Sequence, residues 1–149
     1  MKHVNSGCQY LEELELTDCE CTFHEITSHT LKKLILKNCR CSKLSAVTSP
    51  TLKRLVIDAC ENESNCQLVI MAPAVAYLLL DVSDYSFEGG VSFVEMSSLT
   101  EASIFLRNSV GSELSKEQFK LLCSVTNLVL SGFQTMVCLL SSLIFPCCS

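Results

Sequence analysis

The chain has 149 residues, 48% of them hydrophobic, which is enough for one domain with a sizeable core and excludes a wholly disordered polypeptide. Its net charge of −5 is unevenly placed, with eight Lys/Arg against seven Asp/Glu in residues 1 to 60 and three against nine in residues 61 to 149, so no basic footprint supports nucleic-acid binding. The longest strongly apolar run, Met136 to Phe145, is ten residues where a spanning helix needs roughly 20, and no membrane crossing is expected.

The N-terminal residues Met1-Lys-His-Val-Asn-Ser-Gly7 contain no apolar run after the positive charge, which argues against a signal peptide. An intracellular chain, cytoplasmic or nuclear, is therefore expected, with its eleven cysteines as free thiols. The Asn62-Glu-Ser64 sequon carries no glycosylation meaning in such a compartment.

After a lead-in over residues 1–10, Leu11-Glu-Glu-Leu14-Glu-Leu16-Thr-Asp-Cys19 returns as Leu31-Lys-Lys-Leu34-Ile-Leu36-Lys-Asn-Cys39 and as Leu52-Lys-Arg-Leu55-Val-Ile57-Asp-Ala-Cys60. This is the L-x-x-L-x-L-x-x-C form of a leucine-rich repeat, a unit that buries its apolar side only against a neighbouring copy. Weaker copies start at Val75, Leu99 and Val125, giving intervals of 20, 21, 23, 24 and 26 residues. Period-two alternation in Leu14-Glu15-Leu16 or Leu55-Val56-Ile57 predicts short strands whose pattern residues point inward.

The return segments carry Phe23 and Ile26, Leu44 and Val47, Leu68 and Ile70, then Val91, Phe93 and Met96. They are too short for typical helices and partly β-branched, so extended or irregular returns are expected. One exception is Ser115-Lys-Glu-Gln118, whose capping-box spacing ahead of Phe119, Leu121 and Leu122 predicts a helix near residues 115–123. Turn signals fall at Ser49-Pro50, Ala72-Pro73 and Gly89-Gly90. The expected fold is an α/β repeat: a short leucine-rich-repeat solenoid of about six irregular repeats over residues 11–135, with a parallel β-sheet on the concave face. Residues 136–149 form an atypical apolar C-terminal tail.

Ser6-Gly7-Cys8 ahead of the first repeat, Thr51-Leu-Lys-Arg-Leu-Val-Ile57 and Met71-Ala-Pro73-Ala-Val-Ala-Tyr-Leu78 carry a family resemblance. The chain resembles the leucine-rich-repeat portion of plant F-box/LRR proteins over roughly residues 4 to 135. In that family the repeats recruit a target protein to a cullin-based ubiquitin ligase, while a separate F-box docks on a Skp1-type adaptor. The resemblance implies a target-recognition module. No F-box pattern and no FBD-type region is recognisable, so adaptor docking is not expected. The alternatives are a freestanding LRR binding protein and a non-functional truncated fragment of a longer F-box/LRR gene.

Cys19-x-Cys21 and Cys39-x-Cys41, with His24 and His29 nearby, invite a zinc reading because soft thiolates suit that ion. Against it, Cys19, Cys39 and Cys60 all occupy the ninth repeat position, where a structural ladder is expected, and later units place Ser83, Arg107 and Phe133 there. No nucleophile elbow and no glycine-rich phosphate loop occurs, so no catalysis and no cofactor are expected. Binding is expected on the concave face. There the fifth repeat position aligns Glu15, Ile35, Val56, Leu79, Ser103 and Val129, four aliphatic residues out of six in a row pointing away from the core. The third and seventh positions add a basic spot of Lys33, Lys37 and Arg54, and the aromatic residues Tyr77 and Phe105.

Overall fold

The computed structural model describes residues 3–4, 8–63, 66–82, 91–106 and 125–131. In chain order the strands are β1 (His3–Val4), β2 (Glu13–Thr17), β3 (Glu20–Cys21), β4 (Glu25–Thr27), β5 (Lys33–Lys37), β6 (Arg40–Cys41) and β7 (Ala46–Thr48). They continue as β8 (Arg54–Asn62), β9 (Leu68–Met71), β10 (Tyr77–Val82), β11 (Val91–Val94), β12 (Glu101–Leu106) and β13 (Asn127–Ser131).

The repeat leucines dictate the first sheet. Period-two spacing turns Leu34 and Leu36, Leu55 and Ile57, and Leu78 and Leu80 to the same side, and all six are essentially inaccessible to solvent. Because each unit repeats the spacing of the last, the strands align in parallel and in register, in the order β13-β12-β10-β8-β5-β2. Leu14, Leu34, Leu55, Leu78, Ala102 and Leu128 thus stand side by side across the sheet.

The returns form more order than expected. Ile26, Val47, Ile70 and Phe93 align in register on β4, β7, β9 and β11. With β1 these strands build a second parallel sheet in the order β1-β4-β7-β9-β11. Short β-branched stretches that alternate inward and outward need only a neighbour at the right distance to pair, and the first sheet sets that distance. The molecule is therefore a parallel-strand β-solenoid of about four complete turns, with its core between the two sheets. Among the described residues there is no helix. The helix expected near 115–123, the Gly89-Gly90 turn and the tail at 136–149 lie outside the described residues.

At the exit of the first sheet the chain turns through left-handed backbone at the eighth repeat position: Asp18 (φ 55°), Asn38 (φ 49°) and Ala59 (φ 52°). Asp and Asn tolerate this conformation, whereas alanine pays the steric cost of its Cβ. The next residue is the repeat cysteine. Cys39 Sγ donates to Leu16 O and Lys37 O, both at 3.3 Å, and Cys60 Sγ to Leu36 O at 3.4 Å and Asp58 O at 3.5 Å. The thiol serves as a small apolar filler with a weak donor aimed at two carbonyls near the strand end, where Lys37 O and Asp58 O also accept from the amides of Asp18 and Asn38.

At the entry the donors are hydroxyls. Thr30 Oγ1 reaches Leu11 O at 2.9 Å and Thr51 Oγ1 reaches Leu31 O at 2.9 Å. Farther along, Thr100 Oγ1 reaches Ala76 O and Thr126 Oγ1 reaches Thr100 O, each at 3.0 Å. Hydroxyls thus stitch four of the turn junctions at the strand entry, and the thiols of Cys39 and Cys60 stitch two at the exit.

Candidate interaction surface

The outer side of the first sheet presents three rows, because residues at i and i+2 of a strand share a face. The fifth-position row is registered without a break, as Glu15, Ile35, Val56, Leu79, Ser103 and Val129. Its exposure differs from the expectation of a bare aliphatic strip. Ile35 and Val56 are only 6% and 4% exposed, Leu79 is half-buried, and Val129 is 44% exposed. Strands about 4.8 Å apart leave little room between outward side chains, and a row fills itself in. Ile35 is also flanked along its own strand by Lys33 and Lys37, and Val56 by Arg54 and Asp58.

What the face offers to solvent is therefore carried by the flanking rows. The third-position row runs Glu13, Lys33, Arg54, Tyr77, Glu101 and Asn127. In it Lys33 Nζ lies 3.5 Å from a Glu13 carboxylate oxygen, and the Arg54 guanidinium sits over the Tyr77 ring, 4.0 Å from its centroid. The seventh-position row runs Thr17, Lys37, Asp58, Asp81, Phe105 and Ser131. Lys33 and Arg54 are direct neighbours, while Lys37 stands at the other end of its strand beside Asp58, so the basic spot read from the sequence is divided between two rows. Tyr77 and Phe105 likewise lie in different rows, on β10 and β12, and both are half-buried.

Five of the described cysteines, Cys19, Cys21, Cys39, Cys41 and Cys60, gather at the exit end. Cys21, Cys39, Cys41 and Cys60 are buried, Cys19 and Cys66 are half-buried, and Cys8 is exposed, all as free thiols. Burial, reinforced by the neighbouring Cys39, pushes the Cys21 thiol up to about 11. Burial likewise pushes Cys60 up to about 12 and Cys41 still higher. These groups are neutral thiols at neutral pH, and a metal would have to displace their protons against that preference. Among the described residues no group of three or more His, Cys, Asp or Glu side chains is arranged to hold a metal ion. His24 is half-buried and His29 exposed, on the return and at the following turn.

A polar groove of about 260 Å³ opens over this end of the sheet, between the left-handed turns at Asp18, Asn38 and Ala59. Arg40 spans it, 3.4 Å from Glu61 and 4.0 Å from Glu20. Asn38 Nδ2 donates to Asp18 Oδ1, so a column of side chains runs along the turns and stops at Ala59, which has nothing to continue it.

One organising residue escaped the repeat reading. Asn62, 2% exposed, stands in the column headed by Cys21 and Cys41. Its amide accepts from Leu44 N at 3.0 Å and donates to Leu44 O at 2.9 Å. The sequon signal drew attention to this asparagine for an unrelated reason. Its position two residues after Cys60, equivalent to Cys21 after Cys19, was the signal for its inward role.

Comparison of the chain with family models, with curated proteins and with solved structures gave no match.

Proposed function

We propose that the chain is a protein-recognition module that binds a target protein through the outer face of its first sheet. On this reading its turns are leucine-rich repeats, six in number, beginning at Leu11, Leu31, Leu52, Val75, Leu99 and Val125. The module is akin to the target-recognition segment of plant F-box/LRR subunits of cullin-based ubiquitin ligases. It acts by binding rather than catalysis, inside the cell, where its buried cysteines stay reduced. A freestanding LRR binding protein is the alternative setting for the same activity.

The observation that carries the reading is the continuous outer face of six registered strands. Its partly exposed anchors are of the types that dominate protein interfaces: Arg54 stacked on Tyr77, half-buried Phe105, and the aliphatics Leu79 and Val129. A repeat array spreads such anchors over an extended surface, which suits a macromolecular partner better than a small molecule.

Affinity capture with the full chain tests this, using Tyr77→Ser/Phe105→Ser as the comparison. A target retained by the native chain and lost by the double variant, with both melting alike, is the expected result. Equal capture by the two chains overturns the proposal. Recovery of a Skp1-type adaptor in the same experiment would contradict the view that this segment does not dock on the ligase by itself.

A further inference from the structure

At the entry end of the first sheet, residues two and three of each repeat stack in columns. The amides of Lys32 and Lys33 both donate to Glu12 O (2.7 and 3.1 Å), and those of Lys53 and Arg54 both donate to Lys32 O (2.8 and 3.1 Å). Ala76 and Tyr77 follow on Lys53 O (2.9 and 3.2 Å), then Thr100 and Glu101 on Ala76 O (2.9 and 3.0 Å). The stacked pairs therefore read Glu12–Glu13, Lys32–Lys33, Lys53–Arg54, Ala76–Tyr77.

Charge is matched between the first two pairs and stops being matched at the third. Lys32 Nζ lies 2.8 Å from Glu12 and Lys33 Nζ 3.5 Å from Glu13. Arg40 pairs with Glu20 and Glu61, and neither Lys53 nor Arg54 takes part in an ion pair among the described residues. Both are exposed. Behind them stand two lysines already engaged, and ahead of them a neutral pair. Stacking on Tyr77 fixes the plane of the Arg54 guanidinium and leaves its N–H edge free, the geometry that accepts a carboxylate through two parallel hydrogen bonds. The chain itself displays the complement, since two adjacent glutamates satisfy the equivalent lysine pair one turn earlier.

We propose that Lys53 and Arg54 bind an acidic segment of the partner protein, one presenting adjacent carboxylates, with Tyr77 as the residue that positions the guanidinium. This rests on the reading of the outer sheet face as the recognition surface and names the partner's chemistry there.

Fluorescence anisotropy on the full chain at low salt tests it with three labelled probes: a nine-residue peptide Gly-Ala-Glu-Glu-Ala-Glu-Glu-Ala-Gly, its all-glutamine counterpart, and a ten-nucleotide oligothymidine. The glutamate peptide is expected to bind, and more weakly as salt is raised. Lys53→Ala/Arg54→Ala is expected to lower its affinity about tenfold or more. Tyr77→Ala should lower it about threefold, with Tyr77→Phe retaining it. Lys43→Ala, an exposed lysine off this column, should change nothing. Equal binding of the glutamine peptide, undiminished binding by a folded Lys53→Ala/Arg54→Ala chain, or tighter binding of the oligothymidine would each overturn the proposal. If the glutamate peptide fails to bind while Tyr77→Ser/Phe105→Ser still abolishes target capture, the acidic-partner inference falls and the recognition function stands.

Discussion

Asn62 engages both backbone polar groups of Leu44, accepting from its N–H at 3.0 Å and donating to its C=O at 2.9 Å. In this way a side chain replaces the strand partner that the backbone of Leu44 lacks at the corner between the two sheets. Asn62→Ala would strand the buried N–H of Leu44 and leave its C=O only the weak Cys66 thiol donor at 3.5 Å, and the expected cost is about 1–3 kcal/mol. Asn62→Cys should cost less, because Cys41 fills the registered place one turn earlier. Urea unfolding of the two variants decides the matter, and an alanine variant as stable as the native chain would refute this account of the corner.

Ala59 is expected to be a site of gain. Its φ of 52° is a conformation in which glycine escapes the steric cost of a side chain, so Ala59→Gly should raise stability by about 1 kcal/mol, less what glycine adds to the unfolded chain's entropy. Ala59→Asn should help as well, by prolonging the Asp18–Asn38 column. A lower melting temperature in both variants would show that the left-handed turn is not the limiting strain.

Alkaline pH should weaken the fold. In the unfolded chain Cys21 and Cys60 titrate near 9.0, while in the folded chain burial holds them up to about 11 and about 12. Below pH 9 both states keep these protons and the contribution is full. Above it the unfolded state releases protons that the native state retains, so stability falls as pH rises through 9 toward 11 and 12. Urea midpoints at pH 8, 9.5 and 10.5 should decline, with a shallower decline in Cys21→Ala/Cys60→Ala. Identical pH slopes in the two proteins would remove the thiols from the explanation.

Core truncations should be graded along the solenoid. Leu55 is fully buried between turns, and Leu55→Ala is expected to cost about 3 kcal/mol. Leu14 lies on the edge strand and is half-buried, so Leu14→Ala should cost about 1 kcal/mol. Equal costs would mean that the β2 edge of the stack is as well packed as its middle.

The repeat leucines were legible because period two and a near-constant interval constrain both strand position and register, and Leu34, Leu55 and Leu78 stand side by side as that spacing requires. The second sheet was not, since three residues such as Glu25–Thr27 or Ala46–Thr48 carry too little alternation to be told from an irregular return. The rows of the outer face followed from the spacing as well, but not their exposure. Whether Ile35 is open depends on how the side chains around it, Glu15 and Val56 among them, fill the row, and that is decided by packing rather than by periodicity. Lys53 went unnoticed because a second-position residue precedes the strand, and its isolation becomes visible only once Glu12 and Glu13 are seen to neutralise the lysines one turn earlier.

The stitching between turns has a direction. Thr30, Cys39, Ser45, Ser49, Thr51, Cys60, Cys66, Thr100 and Thr126 all donate to a carbonyl of the turn that precedes them. Among these side-chain contacts, peeling a turn away from the C-terminal side takes a donor from carbonyls of the turn beneath, whereas peeling from the N-terminal side releases hydroxyls and thiols, which rotate toward water; the backbone ladder loses N–H and C=O partners either way. The side-chain stitching therefore has a polarity along the solenoid, donors on the later turn and carbonyls on the earlier one, that the parallel backbone ladder by itself does not have.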